Sequence, residues 1–168
     1  MMKINKNHIL IFNMKKFYFF IFWILITNTV LSKNILIPMD LESQKNHLKS
    51  YGLAYWILQN NIEVDWLLNY RGGSFMVNFI DDIEKECIYR GISYELISLE
   101  EENSILNTIA DPKNNYDIIK LEKAPKIAVY SPQNKQPWDD AVTLVLEYAE
   151  IPYDVIYDKE ILENLLPI

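Results

Sequence analysis

Short apolar runs alternate with longer amphipathic stretches along the chain from Asn34 onward. The apolar runs predict strands at 34–39, 62–69, 92–99, 126–131 and 152–158. Apolar residues at helical spacing predict helices at 44–60, 76–90, 104–110 and 137–149. Strands that alternate with helices favour an α/β fold of the flavodoxin-like class, in which a mostly parallel sheet carries helices on both faces.

The second half of this pattern partly repeats the first. Ile62, Val64 and Asp65 correspond at an offset of 89 residues to Ile151, Tyr153 and Asp154, each set behind an apolar helix. Gene duplication and shared strand and helix patterning both explain this echo. The polar stretch 111–125 is predicted to connect the two halves. No closing helix is predicted after the last strand, so we expect residues 33–168 to be the amino-terminal portion of a larger α/β protein, incomplete at its carboxyl end.

The first 32 residues have a different pattern. Lys15 and Lys16 precede the apolar run FYFFIFWILIT, and small or short side chains follow it up to Ser32. This order is typical of a signal peptide cleaved after Ser32, with residues 1–13 as a possible upstream extension. The uncharged stretch 17–32 is shorter than the roughly 20 residues that cross a bilayer. We therefore predict an exported protein, periplasmic or extracellular, with an uncleaved membrane anchor at 17–32 as the alternative.

Charge and cysteine content narrow the classes of partner. Removal of residues 1–32 takes away four lysines and no acidic residue, so the formal net charge falls from −7 to about −11. Such an acidic chain is a poor partner for nucleic acid, and contact with a membrane is expected only through an uncleaved signal segment. One cysteine, Cys87, excludes an internal disulfide, and with His47 it is too sparse for a zinc site. We predict no metal and no cofactor.

Three polar loops follow predicted strands. In open parallel sheets, ligands bind outside the carboxyl ends of the strands, so these loops supply the candidate ligand-binding residues. The candidates are Asp40 in the first loop, Arg71, Gly72, Gly73 and Ser74 in the second, and Ser131, Gln133 and Trp138 in and beside the third. The second loop has two interpretations: an anion-binding loop of backbone N–H groups and a guanidinium, or a tight strand-to-helix turn whose glycines supply positive φ.

Two further residues have reactive side chains. Cys87 falls on the apolar stripe of a predicted helix, where a small buried thiol is more typical than a nucleophile. His47 falls in the first turn of a helix, as either a ligand-binding or a solvated histidine. No catalytic residue is assigned from these patterns.

Two long runs carry a family resemblance. DWLLNYRGGSF and QPWDDAVTLVL resemble a family of secreted bacterial proteins named asparagine synthetase B, and the likeness extends from about Ile35 to Leu162. The resemblance implies an exported α/β fold like that of class I glutamine amidotransferases, and its name implies glutamine-dependent asparagine synthesis. The chain begins with Met1 and Met2 and has neither an amino-terminal cysteine nor an ATP-pyrophosphatase loop, so no active-site residue is carried over.

Three functional hypotheses follow. The first is an exported amidotransferase-like domain that binds a small polar or sugar-like ligand at the carboxyl ends of its strands. The second is a hydrolase or amide-transferring enzyme whose catalytic residues lie in a carboxyl-terminal part beyond Ile168. The third is a non-catalytic structural module of the cell envelope. Whether the protein is an enzyme, and its oligomeric state, stay open at this point.

Overall fold

The computed structural model describes residues 33–132 and 141–165. These residues belong to one compact unit and contain seven strands and five α-helices. In chain order they are β1 (Lys33–Ile37), α1 (His47–Gln59), β2 (Val64–Leu68), β3 (Phe75–Asn78), α2 (Asp81–Arg90), β4 (Glu95–Ser98), α3 (Leu99–Ala110), β5 (Asp117–Leu121), β6 (Ala128–Tyr130), α4 (Ala141–Ala149), β7 (Asp154–Ile156) and α5 (Asp158–Leu162). Tyr70–Gly72 forms a single 3₁₀ turn.

Five strands form one sheet in the order β4-β1-β3-β2-β5, and every neighbouring pair in it is antiparallel. Strands β6 and β7 form a separate parallel pair. The predicted α/β class is confirmed, but the prediction of a mostly parallel sheet is wrong. It failed because two strands, β3 and β5, went unrecognised, and each inserts an antiparallel neighbour.

Strand β3 lies where the apolar stripe predicted the start of a helix. Phe75, Met76 and Val77 are all buried, and a continuous apolar run of this kind fits a buried strand as well as a buried helix. Helix α2 begins only at Asp81, and Cys87, which was predicted on its apolar stripe, is buried together with Ile83. Gly91 ends this helix in the left-handed conformation, as the sequence predicts.

Strand β5 lies inside the stretch 111–125 that was predicted to be a connection. It pairs with β2 at one edge of the sheet, where Lys120 lies opposite Asp65. Its side chains are exposed or half-buried. Charged residues and partial exposure are typical of an edge strand, which has little apolar periodicity to reveal it. The remaining predicted elements are present with shifted ends, and α3 starts at Leu99 rather than near Ser104.

Helices cover both faces of the five-stranded sheet, as predicted. Helices α1 and α2 pack on the face that carries Ile35, Ile37 and Val64. Helix α3 packs on the opposite face, against Leu36, Leu67 and Met76. The alternation of neighbouring residues Ile35 and Leu36 between these two cores is the period of two expected of a strand. The sheet is therefore the central layer of three.

The carboxyl-terminal segment β6–α4–β7 joins this layer through contact between α4 and α1. A Cβ atom built on Gly52 of α1 would lie 1.7 Å from the carbonyl oxygen of Ala149, so the two helices cross backbone to backbone. Among the described residues, no helix has both the length and the apolar character needed to cross a membrane. The predicted signal segment, residues 1–32, and the predicted helix start at Pro137 lie outside the described residues.

Candidate functional site

The loops after β1 and β2 meet at one edge of the five-stranded sheet. Both strands are antiparallel to β3, which lies between them, so they point the same way. The backbone N–H of Met39 donates to the Arg71 carbonyl at 3.1 Å and ties the two loops together. Strand β4 runs in the opposite direction, so it begins at this edge and brings Glu95 there.

The loop from Asn69 to Ser74 is a hairpin between β2 and β3, and the predicted strand-to-helix turn is wrong. Asn69, Arg71, Gly72 and Gly73 all have positive φ. A Cβ atom on Gly72 would lie 2.4 Å from the Met39 carbonyl oxygen, so this position requires glycine for space as well as for conformation. The glycines shape the hairpin and let it approach the end of β1.

The Arg71 guanidinium lies at the centre of a polar cluster of Asp40, Ser43, Arg71 and Glu95, called here the Arg71 cluster. Its Nε donates to Asp40 Oδ2 at 3.0 Å, and its NH2 donates to Ser43 Oγ at 2.9 Å. NH1 and NH2 each donate to one carboxylate oxygen of Glu95 at 2.8 Å. Glu95 therefore makes the two parallel bonds that are the strongest pairing of arginine with a carboxylate.

Ionisation within the Arg71 cluster follows these hydrogen bonds. Bonds from Ser43, together with the Arg71 guanidinium, hold the pKa of Asp40 at about 2, well below its usual range. The bonds to Glu95, followed by those to Asp40, raise the pKa of Arg71. Two carboxylates around one guanidinium leave the cluster with one net negative charge. An anion therefore binds here only if it replaces one of the two acids.

Two of the backbone N–H groups of the hairpin are bonded within it. Gly73 and Ser74 both donate their N–H to the Tyr70 carbonyl at 3.0 Å. The buried Ser74 hydroxyl also donates to that carbonyl, at 3.1 Å. These bonded groups do not point to a bound anion, so the geometry does not favour the anion-binding interpretation of the loop. The glycines instead supply positive φ for a turn, although a strand follows that turn and not a helix.

The third predicted loop is placed elsewhere. Ser131 follows β6 in the two-stranded sheet, and its N–H donates to the Ile156 carbonyl at 2.8 Å. It therefore lies beside the two-stranded sheet, whereas Asp40 and Arg71 lie in loops at the edge of the five-stranded sheet. Gln133 and Trp138 lie outside the described residues.

His47 and Cys87 occupy ordinary structural positions. His47 Nε2 lies 3.1 Å from the Met39 carbonyl oxygen and so helps to hold the end of β1. Cys87 is fully buried, and burial raises the pKa of its thiol to about 12. A thiol in this state is a poor nucleophile, which agrees with the structural interpretation of Cys87.

Glu95 and Ser43 belong to the Arg71 cluster but were not among the predicted site residues. Ser43 ends a loop that was predicted to contribute, and its neighbour Asp40 was the residue selected from it. Glu95 gave no such signal, because the beginning of a strand in a parallel sheet lies at the edge opposite the ligand.

Among the described residues, no group of three or more His, Cys, Asp or Glu side chains is arranged to hold a metal ion. The fold and the Arg71 cluster define an α/β domain with a charged, internally paired sheet edge. No family model, no curated protein and no solved structure matches the chain. The resemblance to the asparagine synthetase B family therefore stays a prediction.

Proposed function

We propose that this domain is a non-catalytic binding module of an exported, amidotransferase-like protein, and that it binds a small carboxylate-bearing ligand on Arg71 in place of Glu95. The observation that carries the proposal is the bidentate pairing of Arg71 with Glu95. Asp40 and Ser43 hold the guanidinium by its other hydrogen-bond donors, so its Glu95 side stays oriented when Glu95 leaves.

Glu95 is the most exposed acid of the Arg71 cluster. Its side chain is 45% exposed, against 28% for Arg71 and 26% for Asp40. A ligand carboxylate makes the same two bonds without leaving a charge unpaired, because Glu95 can turn into water. Glu95 competes as an internal ligand, which lowers the apparent affinity for any external carboxylate.

The amidotransferase-like part of the proposal rests on the carboxyl-terminal segment and on the sequence resemblance. Strands β6 and β7 are parallel neighbours, and helix α4 lies between them in the chain. This βαβ unit is the one that flavodoxin-like folds repeat. Export rests on the predicted signal segment alone.

Isothermal titration tests the proposed site, with succinate as the carboxylate and glucose as a neutral sugar. We expect Glu95→Ala to bind succinate at least about tenfold more tightly than the unsubstituted chain, since the internal competitor is gone. Arg71→Leu combined with Glu95→Ala should bind none. Glu100→Ala removes an exposed acid from α3 and serves as the charge-matched control. Glucose binding that survives the double substitution would assign the ligand to another site.

The second candidate is the structural module. It is favoured by the same cluster, because all four observed guanidinium bonds stay within the domain and join the loop after β1, the β2–β3 hairpin and β4. If no carboxylate binds to Glu95→Ala, and Arg71→Leu lowers the melting temperature, the Arg71 cluster is a brace and the binding proposal is wrong.

A further inference from the structure

A small polar cavity lies on the face of the sheet that carries α3, beyond the apolar contact with that helix. Its volume is about 90 Å³, and its polar lining comprises Asn34, Glu63, Asp65, Asn78, Glu102 and Lys120. Asn34 lies opposite Asn78 across β1 and β3, and Asp65 lies opposite Lys120 across β2 and β5. None of these residues belongs to the Arg71 cluster.

Asn34 is the most unusual residue of this cavity. It is only 6% exposed, and its side-chain oxygen Oδ1 is buried without a hydrogen-bond partner among the described residues. Buried polar atoms in folded proteins are almost always bonded, so an acceptor left unpaired at a polar cavity indicates a donor in that cavity, either a ligand or a water molecule.

The charges around Asn34 indicate the sign of that ligand. Lys120 pairs with Glu63 at 2.8 Å, and its charge also acts on Asp65, which lies opposite it. Asp65 and Glu102 are half-buried and have no ion pair among the described residues. The three acids of the lining thus exceed its one lysine by two negative charges, and with the unpaired carbonyl oxygen of Asn34 they favour a cation with N–H donors.

We propose that this cavity binds an ammonium group, either the free ion or the headgroup of an amine. Its N–H groups donate to Asn34 Oδ1 and to the carboxylates of Asp65 and Glu102, which also balance its charge. A water molecule has a share of about 30 Å³ in the liquid, so the cavity has room for an ammonium ion or a methylammonium. A bare metal ion is less suited, because these acids do not form a metal-binding group.

Urea unfolding of the full chain in ammonium chloride, against potassium chloride at the same ionic strength, tests the proposal. Potassium has the same charge and a similar size but no N–H donor. When ammonium is present at ten times its dissociation constant, the folding equilibrium constant should rise about 11-fold over that in potassium. Methylammonium as effective as ammonium would indicate an amine headgroup, and an effect of ammonium alone would indicate the free ion.

Three variants separate specific binding from a general salt effect. Asn34→Leu and Asp65→Asn should abolish the difference between the two salts, whereas Glu122→Gln, an exposed acid outside the cavity, should keep it. If Asn34→Leu does not fold, the stability of Asp65→Asn in the two salts decides whether ammonium binds in the cavity. Equal stability in the two salts, or a difference that persists in Asp65→Asn, would overturn the proposal and leave a cavity filled by water.

Discussion

The five-stranded sheet and the carboxyl-terminal segment β6–α4–β7 bury their apolar residues to very different extents. Ile35, Leu53 and Leu67 in the sheet and its helices are fully buried. Helix α4 instead exposes about half of the side chains of Val142, Leu144, Val145 and Tyr148, and its buried residues are the small Thr143 and Ala149. The sheet has a core of its own, whereas the segment depends on contact with α1.

Polar contacts also join the carboxyl-terminal segment to α1 and α2. Lys49 of α1 pairs with Glu150, which follows α4, and Arg90 NH1 lies 2.8 Å from the other carboxylate oxygen of Glu150. Lys49 also lies over the ring of Tyr148, 5.2 Å from its centre. The hydrogen bond from Lys49 lowers the pKa of Glu150. The segment is thus attached by close helix contact and by ion pairs rather than by a large apolar core.

The largest expected effect on stability comes from a substitution that creates a cavity in the apolar core of the sheet. Leu67→Ala removes a fully buried side chain from the core beneath α3 and should lower the free energy of unfolding by about 3 kcal/mol. Leu144→Ala makes the same chemical change on the exposed side of α4 and should cost less than about 0.5 kcal/mol. Urea unfolding monitored by circular dichroism measures both. Equal costs would show that the two regions are packed alike.

The second-largest effect is expected from a substitution at the contact between α1 and α4. Gly52→Ala places a methyl group against the Ala149 carbonyl and should cost about 2 kcal/mol, because α4 has to move away from α1. Hydrogen exchange should show the amides of α4 losing protection while those of β1 and β3 keep theirs.

Gly91→Ala is the matched control for Gly52→Ala. Its Cβ would meet nothing within 4 Å, so its cost of about 1 kcal/mol comes only from the positive φ of that residue. It should leave the protection of α4 unchanged. If Gly52→Ala opens the sheet together with α4, the two regions form one cooperative unit and the comparison between them fails.

The same two regions show which parts of the fold are readable from sequence. Helix α1 and strands β1 and β2 each contribute buried apolar residues to the core, and all three were predicted. Strand β5 has exposed charged residues because it is an edge strand, so its pattern looked like a linker. Strand β3 is apolar on both sides, so its period was lost. Because β3 and β5 were not predicted, the remaining strands and helices alternated along the chain, and that alternation led us to expect a parallel sheet.

Only two residues of the Arg71 cluster, Asp40 and Arg71, were predicted from the sequence. Asp40 and Arg71 were selected because each follows a strand, and β1 and β2 do point to the same edge. Glu95 begins a strand, and only antiparallel pairing brings such a residue to that edge. Strand direction depends on contacts between distant residues, which local periodicity does not encode.

The smallest effect on stability is expected from a cysteine substitution that tests exposure directly. Leu144→Cys changes an exposed side chain and should alter the free energy of unfolding by less than about 0.5 kcal/mol. Its new thiol should react with a disulfide reagent at the rate of a free cysteine. Cys87 is the only natural cysteine and is buried with a pKa of about 12, so it should react at least about 100-fold more slowly, at a rate limited by opening of the sheet.

Absorbance of the released thiol separates the two reactions into a fast and a slow phase. Leu144→Ser keeps Cys87 alone and should show only the slow phase. A single slow phase in Leu144→Cys would mean that the outer side of α4 is covered, and the contrast between a packed sheet and an exposed segment would then be wrong. A fast phase in Leu144→Ser would instead show that α2, which carries Cys87, opens as readily as the carboxyl-terminal segment.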